Sequence, residues 1–175
     1  MAKGSTMAAA VLALLGIAPW AVYVGGLAKM TDVLTGFHWD RALEQIEIML
    51  EWYIVSAQFV NLIIIAVVGF AGGLHRAHSL LNMFLAVNAT LLILRATERV
   101  QQITSVADGQ PLFADTTIKA LVALDGNPLP YLRAIAAGQI ASATWNFFLA
   151  IAVGYGGTDT LPMQSDAPPK GATMA

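Results

Sequence analysis

The chain contains no cysteine, and only 11% of its 175 residues are charged, against about 25% in an ordinary soluble domain. Without cysteine there is no disulfide, thiolate nucleophile, cysteine-bound zinc or iron–sulfur cluster. Its 9 Lys and Arg residues are scattered and its net charge is −2, which argues against the basic patch that nucleic-acid binding requires. Hydrophobic residues make up 57% of the chain, against about 45–50% usually. The composition therefore predicts an integral membrane protein.

Four charge-poor segments are long enough to cross a bilayer, which takes about 20 apolar residues in a helix. They predict an all-α fold, an integral membrane bundle of four transmembrane helices spanning about 7–28, 50–74, 78–97 and 133–156. One domain, 1–157, contains all four, and 158–175 is predicted to be a disordered C-terminal tail. Four spans place both termini on the same side. A cleaved signal peptide is the alternative for the first span, but its apolar run is too long for one.

The connections between the spans differ in length. Only His75–His78 separates spans two and three, which predicts a tight antiparallel hairpin. The connection between spans three and four is the longest, with Asp-Gly turns at both ends of a predicted short surface helix over 116–124. Pro19 predicts a kink in the first span. The positive-inside rule and the net charge of the loops point in opposite directions, which leaves orientation and host membrane open.

Polar side chains recur inside the predicted spans, where they usually face the bundle interior or a cavity. Folding span three back on span two brings Glu51 level with Arg95 and Arg99, which predicts an ion pair. The same register predicts an amide contact between Asn61 and Asn88. The predicted polar seam comprises Glu51, Gln58, Asn61, Asn88, Arg95, Arg99, Gln139, Ser142 and Asn146. It has two interpretations, packing that sets the helix register or a route for a substrate or ion.

Small residues and aromatic residues complete the pattern. Small residues four apart allow helix backbones to approach closely, and we predict helix packing at Gly69, Gly73, Ala134 and Gly138. Ala21 and Gly25 have the same spacing in the first span. Aromatic residues near span ends are typical of the membrane interface; those here are Trp20, Tyr23, Trp52, Tyr53, Tyr131 and Tyr155.

The chain has no arrangement of nucleophile, base and orienting group, so we predict no catalytic residues. His75 and His78 fit lipid headgroups at an interface better than a metal or haem ligand pair. We predict no metal and no cofactor, and leave a bound lipid or pigment open. The leading hypothesis is a non-enzymatic accessory or scaffold subunit of a larger membrane complex, whose partners are membrane lipids and other subunits or itself. The alternative is a small oligomeric transporter or channel using the seam around Glu51, Gln58 and Asn61.

Overall fold

The structure is a computed structural model that describes residues 2–35, 42–109 and 116–158. The described residues form helices and turns without strands. The helices are α1 (Ala2–Leu15), α2 (Ile17–Thr35), α3 (Ala42–Phe70), α4 (Leu74–Ala107), α5 (Thr116–Asp125) and α6 (Leu129–Thr158). The all-α prediction is therefore confirmed for the described residues. The predicted tail lies outside them, except for Thr158, the last residue of α6.

Within the described part of the chain, four helical segments are long and apolar enough to span a membrane: Gly4–Thr35, Ile48–Phe70, Leu74–Ala107 and Leu129–Thr158. They correspond to the four predicted spans but differ from them at the ends. The third is the clearest case, because α4 extends ten residues past the predicted end at 97. Helix formation does not require apolar residues, and the Ala, Glu, Arg and Gln residues that follow are good helix formers.

The first span is divided into α1 and α2 at Gly16. Pro19 has no backbone N–H to donate to the carbonyl of Leu15, which removes one helical hydrogen bond at this point. Just before the break, the Trp145 indole Nε1 donates to the carbonyl oxygen of Leu12 at 2.9 Å. The kink predicted at Pro19 is therefore found as a break between α1 and α2, and α6 donates a hydrogen bond to the chain just before it.

A glycine turn joins α3 to α4 over residues 71–73. Gly72 has a φ of +71°, a left-handed conformation that residues with a Cβ rarely adopt. Gly73 N donates to Val68 O at 2.9 Å and Gly72 N to Gly69 O at 3.2 Å. These two bonds form a Schellman motif that ends α3. The turn therefore precedes the predicted separator, and His75–His78 lies in the first part of α4.

Two apolar clusters form the interior of the bundle. One surrounds Tyr23, Leu27 and Leu132, and the other surrounds Leu62, Leu85 and Leu149. α4 and α6 share the most extensive contact, and α6 also packs on α1 and α2. The predicted short helix is present as α5, whose buried Ile118 and Leu121 belong to the first cluster. The polar seam passes through this apolar interior.

Candidate functional site

The Glu51 carboxylate lies at the centre of the most densely bonded part of the interior. Arg95 Nε and Arg99 Nη2 donate to its Oε1 at 3.0 Å and 2.9 Å. Gln139 Nε2 donates to Oε2 at 2.9 Å, and the Tyr23 hydroxyl donates to the same oxygen. The four donors come from α2, α4 and α6, and each oxygen receives two of them. The carboxylate is thus saturated, since an ionised carboxylate offers about four acceptor positions.

The ion pair predicted between Glu51 and Arg95 or Arg99 is found with both arginines. Glu51 is fully buried, and both arginines are buried as well. Arg95 also contacts Glu98, so two carboxylates face two guanidinium groups and their charges balance. Arg99 Nη1 donates to Gln102 Oε1 at 2.7 Å. Charge balance and hydrogen bonds together make the burial of these ions tolerable.

A cluster of three side-chain amides lies two helical turns along α3 from Glu51. Gln58 Nε2 donates to Asn146 Oδ1 at 2.7 Å, and Asn146 Nδ2 donates back to Gln58 Oε1 at 2.9 Å. Asn88 Nδ2 donates to the same Gln58 oxygen at 3.2 Å. The cluster links α3, α4 and α6 through neutral groups. It sets their register without placing a charge in the apolar interior.

The predicted amide contact between Asn61 and Asn88 is wrong. Asn88 bonds Gln58 instead, and both polar atoms of the Asn61 side chain lack a partner among the described residues. The turn at 71–73 explains the difference, because it precedes the separator on which the predicted register was centred. The residue of α3 level with Asn88 is consequently Gln58, one helical turn before Asn61.

Four seam residues retain buried polar atoms without a partner among the described residues. They are Asn61, through its Nδ2 and Oδ1, Arg99, through its Nε, Gln139, through its Oε1, and Ser142, through its Oγ. Gln139, Ser142 and Asn146 lie on one face of α6, so the Ser142 hydroxyl falls between the Glu51 carboxylate and the amide cluster. Buried polar groups are usually paired, and each unpaired one requires a physical explanation.

Two of the predicted packing glycines lie at close helix contacts. A Cβ on Gly138 would stand 2.5 Å from Tyr23 N, and one on Gly69 would stand 2.9 Å from the Ala10 Cβ. Gly73 lies in the turn, where an added Cβ would meet only Val68 within 4 Å. Ala134 on α6 is half-buried. Gly73 therefore serves the turn rather than a contact between helices.

Sequence reasoning missed other glycine contacts. An added Cβ on Gly26 would stand 2.8 Å from Ile135 Cγ1, and one on Gly157 would collide with the His78 side chain. Spacing favoured the neighbouring Gly25, which has open space around it. Two adjacent glycines cannot be ranked without knowing which face of the helix meets a neighbour.

Sequence reasoning also misassigned Tyr23, which was predicted to lie at the membrane interface. It is fully buried and donates to Glu51. Trp20 is half-buried, and its Nε1 donates to the Val55 carbonyl oxygen at 3.0 Å. An apolar ring with one polar atom suits both an interface and a polar interior. The signal in the sequence was the spacing of these two residues. Tyr23 lies one helical turn after Trp20, which predicts that both side chains share one face of the helix.

Many large apolar side chains are exposed on the outward surface of the bundle, and shallow hollows lie beside α6. One, of about 400 Å³, lies between α4 and α6 and includes Ala96, Ala143 and Phe147. The other, of about 500 Å³, lies between α1 and α6 and includes Leu12, Trp145 and Phe148. Among the described residues, no three acidic or histidine side chains are grouped so that they could hold a metal ion. Comparison of the chain with protein-family models, curated proteins and solved structures finds no match.

Proposed function

We propose that this chain is a non-enzymatic integral membrane protein that acts as an accessory or scaffold subunit of a larger membrane complex. In this proposal the four apolar segments cross the bilayer, both termini lie on one side, and α3 and α4 form an antiparallel hairpin. The hairpin is supported by two contacts, Glu51 with Arg95 and Gln58 with Asn88, whose sequence separation shortens toward the turn.

The observation that carries the proposal is the saturation of the Glu51 carboxylate. Its two oxygens accept donors from α2, α4 and α6. A carboxylate that takes part in transport must gain and lose a partner during each cycle. One that is engaged at every position instead acts as a cross-link between helices. This favours a structural role for the ion cluster.

The outward surface supports a role in assembly. Phe147 and Phe148 on α6 are 58% and 56% exposed, and each lies at one of the two hollows. Ridges of large side chains beside hollows are what helix packing uses in membranes, where van der Waals contact drives association. The expected partners are lipids and helices of other membrane subunits or of a second copy.

The native mass of the protein in mild detergent, with identification of the chains that co-purify, tests the scaffold proposal. We expect recovery in a larger assembly at fixed stoichiometry. Replacing Phe147 and Phe148 with alanine should release the chain from that assembly. Phe84→Ala, on an exposed part of α4 away from both hollows, is the matched control and should leave the assembly intact. A wild-type chain that is recovered alone would contradict the proposal.

A small oligomeric transporter or channel is the second candidate. The unpartnered polar atoms of Gln139, Ser142 and Asn61 favour it, since they flank the amide cluster along the interior of the bundle. Its test is solute or ion flux into vesicles that contain the purified protein. Asn61→Leu is a better probe than Glu51→Gln, because losing Glu51 would leave two buried arginines without their anion. Flux in the wild type that Asn61→Leu abolishes, without a loss of folded protein, would favour the transporter.

A further inference from the structure

The unpartnered polar atoms of the neutral seam residues lie at two places, one on each side of the amide cluster. On α6, Ser142 is three residues after Gln139 and four before Asn146, which are displacements of about 4.5 Å and 6 Å along a helix axis. On α3, Asn61 is three residues after Gln58, which is about 4.5 Å along the axis. α3 and α6 share one register, since Glu51 bonds Gln139 and Gln58 bonds Asn146 at the same separation of 88 residues. The two gaps therefore lie at successive levels along the same pair of helices, α3 and α6.

The atoms at each gap define the chemistry of a ligand. Asn61 presents a free N–H donor and a free carbonyl acceptor, so its ligand must both accept and donate. A metal cation cannot accept from the Nδ2 group, and an anion cannot donate to the Oδ1 atom. At the other gap, Gln139 Oε1 needs a donor, while the Ser142 hydroxyl can donate or accept. Water satisfies both requirements.

The enclosure of these groups limits the size of the ligand. Asn61 is 4% exposed, Ser142 is 1% exposed and Gln139 is fully buried. The surrounding side chains are apolar and belong to the interior of the bundle, with Leu62 and Ile65 next to Asn61 on α3. A buried water needs two to four polar partners, and each gap supplies two polar atoms in addition to the neighbouring amide cluster.

We propose that the bundle binds internal water at these two positions, one between Gln139 and Ser142 and one at Asn61. The waters supply hydrogen-bond partners on both sides of the amide cluster, one toward the Glu51 carboxylate and one beyond Gln58. The polar positions from Glu51 to Asn61 extend over ten residues of α3, or about 15 Å. This inference is independent of the proposed scaffold role, because internal water serves a structural core and a transport route alike.

Water-edited solid-state NMR of the protein in lipid vesicles tests the inference directly. The probe is water itself, and the signals are the side-chain N–H groups of Asn and Gln and the backbone N–H groups in uniformly ¹⁵N-labelled protein. We expect magnetisation from water to reach the Asn61 amide several-fold faster than the backbone N–H of Ile65, one turn away in the apolar interior. Transfer to Asn61 as slow as that to Ile65 would overturn the inference, and this measurement needs only the wild-type protein.

Two variants locate the two waters separately. Asn61→Leu should slow transfer to the Gln58 amide and leave transfer to the Gln139 amide unchanged. Ser142→Val should have the opposite pattern. Unchanged transfer to both amides in both variants would contradict the proposed positions. The wild-type measurement decides the presence of water even if one variant fails to fold.

Discussion

Gln58 and Asn146 bind each other through both ends of their side-chain amides, with Gln58 Nε2 2.7 Å from Asn146 Oδ1 and Asn146 Nδ2 2.9 Å from Gln58 Oε1. The reciprocal pair holds α3 and α6 in one register. Its two residues are 88 positions apart in the sequence, as are Glu51 and Gln139, which also bond each other. Two matching contacts on successive parts of the same helices leave no freedom for one helix to slide along the other.

A double-mutant cycle on this pair should detect the coupling. Hydrogen bonds between membrane helices average about 0.6 kcal/mol each, so Gln58→Leu and Asn146→Leu should couple by about 1 kcal/mol. The measurement is unfolding in mixed detergent micelles. The control cycle pairs Gln58→Leu with Thr144→Val, because the exposed Thr144 hydroxyl donates to the Ile140 carbonyl oxygen and not to Gln58, so the two substitutions should be additive. Coupling in the control cycle, with none in the first, would contradict the observed register.

Removing the Glu51 charge should destabilise the bundle strongly. In Glu51→Gln the two buried arginines lose their shared anion, and breaking a buried ion pair from one side costs about 3–5 kcal/mol. The free energy of unfolding measures the loss. Glu98→Gln is the matched control, because its side chain is 46% exposed and pairs with Arg95 alone, so a much smaller loss is expected.

Replacing Glu51, Arg95 and Arg99 together separates the attraction between these charges from the free-energy cost of burying them. The combined variant Glu51→Leu, Arg95→Met, Arg99→Met leaves no unpaired buried ion. It should recover much of the stability that Glu51→Gln loses, since apolar replacement of a buried ion cluster is often neutral or stabilising. The free energy of unfolding of the triple variant, compared with that of Glu51→Gln, measures this recovery. A triple variant less stable than Glu51→Gln would mean that the charges themselves hold the helices together.

Alanine substitution should distinguish glycines that meet a neighbouring helix from those that do not. Gly138→Ala places a Cβ 2.5 Å from Tyr23 N, and this backbone atom cannot turn aside as a side chain could. We expect a large fall in thermal stability. Gly25→Ala has open space around it and should be neutral or slightly stabilising, because alanine favours a helix over glycine by about 1 kcal/mol. Equal losses in both variants would contradict the close packing of α6 on α2 at Gly138.

The absence of cysteine makes the packing of α1 on α3 easy to test by cross-linking. An added Cβ on Gly69 would stand 2.9 Å from the Ala10 Cβ, somewhat closer than the roughly 3.5–4.5 Å of a disulfide. A small backbone shift should therefore allow Ala10→Cys and Gly69→Cys to oxidise to an intramolecular disulfide. The control pair is Ala10→Cys with Gly73→Cys. Gly73 lies in the turn after α3, where an added Cβ would meet only Val68 within 4 Å, so this pair should oxidise much more slowly. Gel mobility with and without reductant reports both.

Composition and periodicity were sufficient for the all-helical fold and for four segments long enough to cross a membrane, because both depend on apolar content along the chain. The Glu51–Arg95 and Glu51–Arg99 pairs also followed from sequence, since long charged side chains tolerate a small error in register. The short Asn61 and Asn88 amides do not, and the glycine turn at 71–73 moved the partner of Asn88 to Gln58.

Tyr23 and the choice of Gly26 over Gly25 depended on which face of α2 meets α6. That face is set by packing between segments more than 100 residues apart, for which the sequence of α2 has no local signal. The linear sequence therefore determined which segments are helical and apolar and that the polar residues of the seam are buried within them. Only the tertiary structure decided how those residues pair, because short side chains bond only when two helices agree in both register and rotation.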